Sequence, residues 1–232
     1  DLPDSDLPSM LRRVLNETAV ERLRVSSLQP RELTDDLLGI WSAKGQGRLC
    51  PHFHMALQSG SDPVLDRMRR RYTADEFVAA AERVRMSVLG ATITGDAIAG
   101  FPGESEDDHR STLDVVERTG FAALHVFPYS ERPGTSAAHF DDHVDPAVRS
   151  RRAAEIRELA AGLSARFRES MIGDVRPVLW ETNDPVTGLT DTYLRVRRAD
   201  ATTNAPDDGF ENTIERVRLI RADGQVLVGE PI

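Results

Sequence analysis

The sequence predicts two units in series, an α/β unit with a parallel sheet and then a small all-β barrel. Three observations predict this. Apolar runs of strand length alternate with helical patterns four times up to residue 170, and such alternation makes parallel strands with helices packed outside. The strand cores are largely apolar, as in strands covered on at least one side. After Gly173 the helical patterns stop, and short runs separated by NDPVTG, NAPDDG and RADG take over. That is an all-β module of about 60 residues with strongly marked turns. The boundary falls between Ser170 and Asp174, giving units of residues 1–170 and 171–232.

Each element has a local reason. Residues 7–18 read as a helix, and RLRVSS (22–27) as a strand ended by LQP. Thr34 can cap a helix over 35–42. A strand is expected over 53–58. Ser61 or Asp62 can cap the next helix, with Pro63 in its first turn, where a missing amide hydrogen costs nothing. Thr73 and Glu76 have capping-box spacing and open a helix to about Val88. ATITGDAIAG (91–100) is the third strand. FPGESEDD leads into a helix ending near Gly120, and FAALHVFPYS (121–130) is the fourth strand. Asp145 caps a long helix to about Met171, with Pro146 in its first turn. In the β module, VRPVLWE, TYLRVRR, NTIERVRLI and QVLVGEP read as strands.

Composition bounds function. The chain has 232 residues, 40% hydrophobic and 29% charged, with net charge −9. That charge gives no global attraction to nucleic acid but leaves room for a local basic patch. No apolar run approaches the roughly 18 residues of a membrane span, and no signal peptide is present. Together these suit a cytoplasmic protein. The single cysteine, Cys50, excludes an intrachain disulfide and a multi-cysteine metal site within the chain. It fits a reducing compartment. Lys44 is the only lysine; every other basic side chain apart from the histidines is arginine.

Polar groups gather at the predicted carboxyl ends of the strands, where parallel α/β folds bind ligands. These are Ser26 and Ser27, then Gln58, Ser59 and Gly60, then Asp96 followed by GFPGE, then His125, Pro128, Tyr129 and Ser130. Asp96 can accept two hydroxyl hydrogen bonds, as a ribose diol requires. Gln58 either satisfies backbone groups in a tight turn or faces a ligand. Arg67, Arg69, Arg70 and Arg71 form either a solvated helix face or a two-pronged clamp for a carboxylate. A cavity is expected with Gln58, Asp96 and Tyr129 around it. GFPG lacks the lysine and hydroxyl of a phosphate loop. His52 and His54 with Cys50, or His139 with His143, fall short of the three or four ligands zinc takes, so no metal site is expected. Neither Ser59 nor Ser130 has a histidine and acid partner for nucleophilic chemistry.

HMALQSGSDPVLDRMRRRYT, GDAIAGFPGESEDD and HVFPYSERPGTSAA, in that order, closely resemble the radical S-adenosylmethionine methylthiotransferases. The ending resembles their TRAM module, a small RNA-holding β-barrel. The resemblance implies the last four βα units of a six-unit partial (β/α) barrel followed by that module. RLCPHFHMALQSGSD and HVFPYSERPGT look most like the branch acting on threonylcarbamoyladenosine beside the tRNA anticodon, adding a methylthio group at carbon 2 of the adenine. The branch acting on isopentenyladenosine is close. The family implies S-adenosylmethionine as cofactor, with Gln58, Arg70, Asp96, Pro128 and Tyr129 around it. Asp96 would hold the ribose hydroxyls. Arg132 and Thr135 would position substrate or tie their loop down.

The family also carries two four-iron four-sulfur clusters, each held by three cysteines. One cluster passes an electron to S-adenosylmethionine and so generates a 5′-deoxyadenosyl radical. This chain has none of those cysteines, and Cys50 is not at a motif position. The resemblance therefore implies a fragment that ligates no cluster, contributes no catalytic cysteine and is inactive alone. Its partners would be the N-terminal part of the same enzyme and the tRNA anticodon stem-loop. Where the family often has threonine before the aspartate, this chain has Gly95, expected to loosen a turn.

In the β module, seven arginines face 11 acidic residues between Asp174 and Glu230. Arg195 and Arg197 share one strand face, and Arg216 and Arg218 share another. Such pairs suit RNA backbone, with Tyr193 either stacking on a base or packing inside. The alternative is an ordinary solvated surface. Trp180 is expected in the core. A chain of this kind is either part of the tRNA-modifying enzyme or a catalytically incomplete RNA-binding or docking fragment.

Overall fold

A computed structural model describes residues 6–42, 47–183, 185–200 and 209–232. The expected turn NAPDDG lies outside the described residues except for Gly209. The first unit runs α1 (Leu7–Glu17), β1 (Leu23–Leu28), α2 (Asp35–Ser42), β2 (Leu49–Met55), α3 (Asp62–Arg67), α4 (Ala74–Ser87), β3 (Thr92–Ala99), α5 (Glu106–Thr119), β4 (Ala123–Pro128) and α6 (Pro146–Ser170). The four strands lie side by side in chain order, all parallel. The caps are the expected ones in most cases. Thr34 accepts from the Leu37 amide, Thr73 and Glu76 close a capping box, and Asp145 accepts from the Ala147 amide. Ser61 sits at the α3 N-cap without capping through its side chain; its hydroxyl donates to Asp108 at 2.5 Å instead.

Helices cover one face of the sheet. Phe53, Met55 and Ile93 pack there in a core shared with Leu37, Phe77, Phe121 and Ile156. The alternation of strand side chains sends the polar residues to the opposite, inner face. Gly95 lies within β3, not in a turn. A side chain there would meet the Phe121 ring at 2.8 Å, and the Met55 carbonyl closer still. The glycine therefore seats the strand against that ring, which corrects the expected loosening. The second strand starts earlier than expected and ends at Met55, because Leu49 already pairs with Leu23 of β1. Gln58, past its end, keeps a single bridge to Ala97.

The second unit is a closed barrel of β5 (Val175–Asn183), β6 (Val186–Thr190), β7 (Arg195–Arg198), β8 (Ile214–Asp223) and β9 (Val226–Pro231), in the order β5-β6-β7-β9-β8. Sequence reading found four of the five strands. It took NDPVTG for a turn, whereas Val186–Thr190 form β6. Gly188, read as a turn residue, is opposite Trp180, where a Cβ would strike the backbone of Leu179 and Trp180. Trp180 fills the barrel core with Val178, Val196, Val217, Leu219 and Leu227. Its indole N–H donates to Glu215 at 2.7 Å, the partner a buried indole needs.

The module sits against the sheet through arginines of the β1 region. Arg22 donates to the carbonyls of Leu189 (2.9 Å) and Pro177 (2.7 Å). Arg24 donates to those of Asp191 and Thr190, both at 3.2 Å. Tyr193, in the β6–β7 turn with φ 69°, stacks its ring on His52 at 4.7 Å and 16°. The Arg24 guanidinium lies 4.9 Å from the centre of the same ring. A bulky residue in the left-handed region is strained, and these contacts hold it there. Tyr193 thus lies against the sheet on one side while remaining 44% exposed, so it is not packed inside.

Two outcomes follow. Glu104 and Arg152 form a buried ion pair at 2.9 Å, and Glu104 also accepts from the Gly100 amide at 3.0 Å. Glu104→Ala removes one partner of that pair and should cost about 3 kcal/mol in urea unfolding; a loss below about 1 kcal/mol would contradict the pairing. Burial, aided by the charges of Arg24 and His54, pushes the His52 imidazole from 6.5 down to about 3. The unfolded chain takes up that proton below about pH 6.5 while the folded chain does not. The stability so contributed is complete above pH 6.5 and drains away as pH falls towards 3. His52→Phe keeps a ring against Tyr193 and should show a shallower loss of stability between pH 7 and 4.5; matching slopes would contradict the assignment.

Candidate functional site

The inner face carries a continuous hydrogen-bonded row. His52 Nε2 lies 2.8 Å from Thr94 Oγ1, which lies 3.1 Å from His54 Nδ1; His54 Nε2 lies 3.0 Å from Asp96 Oδ2. One proton arrangement satisfies all three contacts with neutral rings. His52 Nε2–H donates to Thr94, the Thr94 hydroxyl donates to His54 Nδ1, and His54 Nε2–H donates to Asp96. His52 Nδ1, buried without a partner, is then a lone pair rather than an unmet donor. The row runs along β2 and β3 and terminates on the Asp96 carboxylate, near the carboxyl end of β3.

Gln58 is fixed against the backbone of β3. Its amide donates to the Asp96 carbonyl and its carbonyl accepts from the Ile98 amide, both at 2.8 Å. It is buried, with φ 65°, and Ser27 at the end of β1 has φ 63°. Left-handed non-glycine residues at two adjacent strand ends mark a strained rim of the kind that binding sites carry. Arg70 lies past the end of α3, with its amide on the Leu65 carbonyl. Its charge acts on the Tyr72 hydroxyl, which donates to the carbonyls of Ala56 and Leu57 at the end of β2. Of the four clustered arginines, Arg67 is taken up structurally. It pairs with Asp142 at 2.7 Å, reaches the Pro102 carbonyl and lies over the Phe140 ring.

The remaining predicted residues are dispersed. Pro128 is the Cα partner of Ala99 at the end of β4. The Tyr129 ring meets Phe101 edge-on at 5.2 Å and tilts against His143, so its side chain joins the outer loops. Its hydroxyl is buried without a partner among the described residues. The Thr135 hydroxyl donates to the Arg132 carbonyl at 2.8 Å, tying the loop to itself. Arg195 pairs with Glu181 at 2.6 Å and Arg197 with Asp223 at 2.5 Å. Arg216 and Arg218 are exposed on β8. Among the described residues Arg218 reaches only the Gly173 carbonyl, at 3.5 Å. Sequence reading missed the roles of His52, His54 and Thr94. Their period-two spacing in HFH and TIT was the available signal.

Among the described residues no three His, Cys, Asp or Glu side chains gather as a metal site. Cys50 is buried, and burial pushes its thiol up. The residues present do not fit an iron–sulfur cluster, which takes several thiolates. No helix among the described residues is long and apolar enough to cross a membrane.

Residues 3–116 match the model of the Radical SAM superfamily. A tRNA-2-methylthio-N(6)-dimethylallyladenosine synthase from Maricaulis maris is 41% identical over 175 residues, covering 75% of this chain and 38% of that protein. Proteins of the same name from Parafrankia sp. (44% over 164 residues, 71% and 33% covered) and Finegoldia magna (36% over 193 residues, 81% and 41% covered) are also similar. The chain spans about a third to two fifths of the length of these curated relatives. Coproporphyrinogen III oxidase from Escherichia coli, described as a radical SAM enzyme, matches in structure with TM-score 0.55 and 16% identity, over 79% of this chain and 48% of that chain. At that identity the likeness shows the fold alone.

These relatives correct the branch expected from the sequence. They are named for dimethylallyladenosine, not threonylcarbamoyladenosine. Several residues of the blocks that suggested the other branch hold the scaffold together. Gln58 is bridged to β3, Ser59 meets Thr112 at 3.3 Å, and Tyr129 packs on Phe101. Such positions report how the sheet is built and carry little about the group attached to the adenosine. The first unit has the fold of a partial radical SAM barrel, the closed five-stranded barrel after it is TRAM-like, and the chain is similar to proteins named as tRNA-2-methylthio-N(6)-dimethylallyladenosine synthases.

Proposed function

We propose that the chain is part of a radical SAM tRNA methylthiotransferase that adds a methylthio group at carbon 2 of N(6)-dimethylallyl (isopentenyl) adenosine beside the anticodon. The observation that carries this is the Asp96 carboxylate, presented near a strand end by His54 within the segment of radical SAM type. The relatives' names supply the substrate. A tRNA substrate places the work in the cytoplasm.

Asp96 accepts from His54 on Oδ2, leaving Oδ1 for a ribose hydroxyl of S-adenosylmethionine. The polar inner face and the strained strand end at Gln58 fit that nucleoside. Bound S-adenosylmethionine supplies the adenosyl and methyl groups. Arg70, with no side-chain partner among the described residues, suits the cofactor's carboxylate. Pro128 borders the strand end, and Arg132 reaches out from the following loop. Thr135 shapes that loop. The cluster ligands belong to the part of the enzyme that this chain does not span, and no step here runs through them.

RNA contact falls to the module and its surroundings, with the anticodon stem-loop as partner. Arg216 and Arg218 are the freer pair for phosphate. Arg195 and Arg197 must share their charge with Glu181 and Asp223. Modest, salt-sensitive affinity is expected.

Deleting the gene and measuring tRNA nucleosides by mass spectrometry tests the assignment. The 2-methylthio form of dimethylallyladenosine should vanish while the form lacking methylthio accumulates. Loss of the methylthio group from threonylcarbamoyladenosine instead, or no change in either, would overturn it.

A further inference from the structure

A groove of about 530 Å³ lies between the C-terminal half of α6, the N-terminal part of β4 and the β6–β7 side of the module. Its lining includes Arg157, Arg168, Arg195 and His125, and no aspartate or glutamate. In a chain of net charge −9 this is a local reversal of sign. Arg157 and Arg168 have no carboxylate partner among the described residues. Arg157 donates to the Val126 carbonyl at 2.8 Å. Arg168 donates to Ser164 at 2.6 Å, and its buried Nε has no acceptor. The buried Nε is out of reach of a ligand, but Arg157 Nη1 and Arg168 Nη2 have no partner among the described residues and are the donors left for one.

The groove has a direction. β4 pairs only with β3 and is a free edge of the sheet. His125, at the inner end of the groove, is the Cα partner of Asp96. Phe127, two residues on along the same strand face, is 53% exposed. Arg157 and Arg168 are three turns apart on α6, about 16 Å by helix rise. That span matches a chain of charges better than a single anion, and exposed aromatic surface beyond the cations suits a base more than an acidic peptide.

We infer that this groove binds a single-stranded segment of RNA, with the phosphodiester backbone on Arg157 and Arg168 and a base turned past His125 toward the inner face of the sheet. The inference rests on the RNA reading above and gives that partner a path to the site. Arginine suits phosphate through its planar fork of donors, and such contacts position the strand without reading its sequence. Arg195, shared with Glu181, adds less than the other two.

The test is fluorescence anisotropy of the whole chain with a labelled anticodon stem-loop RNA across a salt series. Arg157→Ala/Arg168→Ala should weaken binding about tenfold or more and lower the slope of log affinity against log salt by about 1.5, near the 0.7–0.9 per lost phosphate contact. Arg157→Lys/Arg168→Lys should restore most of the slope, which shows that the loss is one of charge and not of folding. Arg71→Ala, remote from the groove, should leave both unchanged. RNA binding by the wild type with no change in the alanine pair would overturn the groove and leave the RNA reading standing. No RNA binding by the wild type would overturn both. Equal binding of poly-glutamate would overturn the assignment to a phosphodiester chain.

Discussion

A parallel sheet is normally covered on both faces, and here helices cover only one. The other face must meet its polar demands through its own side chains and through whatever docks there. That constraint organises the molecule. The row from His52 through Thr94 and His54 to Asp96 satisfies most of the polar atoms it contains. The β module covers part of the face, with Tyr193 on His52 and four arginine-to-carbonyl contacts from Arg22 and Arg24.

The same arrangement joins local structure to function. His52 is buried and stays neutral at ordinary pH, and its partnerless Nδ1 fits the tautomer that donates from Nε2 to Thr94. His54 Nε2 meets Asp96 at 3.0 Å, and that contact holds the carboxylate. The two neighbouring strand ends are held in left-handed backbone at Ser27 and Gln58. Catalytic and binding groups held by their neighbours lose little freedom when a ligand arrives. The buried Glu104–Arg152 pair does similar work for the loop after β3, tying it to α6.

Much of this was legible in the sequence because it rests on local rules. Alternating patterns gave the four parallel strands, and Thr73 with Glu76 and Asp145 with Pro146 gave helix starts. Gln58 and Asp96 were singled out by pattern alone; the structure puts Asp96 within β3 and bonds the Gln58 amide to its carbonyl. Other features depend on contacts between distant segments. Gly188 reads as a turn because close backbone approach and turn flexibility use the same residue. Arg195 and Arg197 read as a basic stripe, yet Glu181 and Asp223 come from other strands to pair with them. Tyr193 stacks on His52, a contact between segments far apart in the chain that no local pattern shows. The substrate branch was misread, and the names of the relatives correct it.

The central claim is that this inner face presents Asp96 to the hydroxyls of an adenosyl ribose. Titration calorimetry of the chain with S-adenosylhomocysteine and its 2′,3′-dideoxy form measures that contact directly, in wild type, Asp96→Asn and Asp96→Ala. The account predicts that the wild type prefers the diol by about tenfold or more, in keeping with 1.5–3 kcal/mol for a hydrogen bond to a charged group. The preference should shrink in Asp96→Asn and disappear in Asp96→Ala. An equal preference in all three proteins, or none in the wild type, would contradict it.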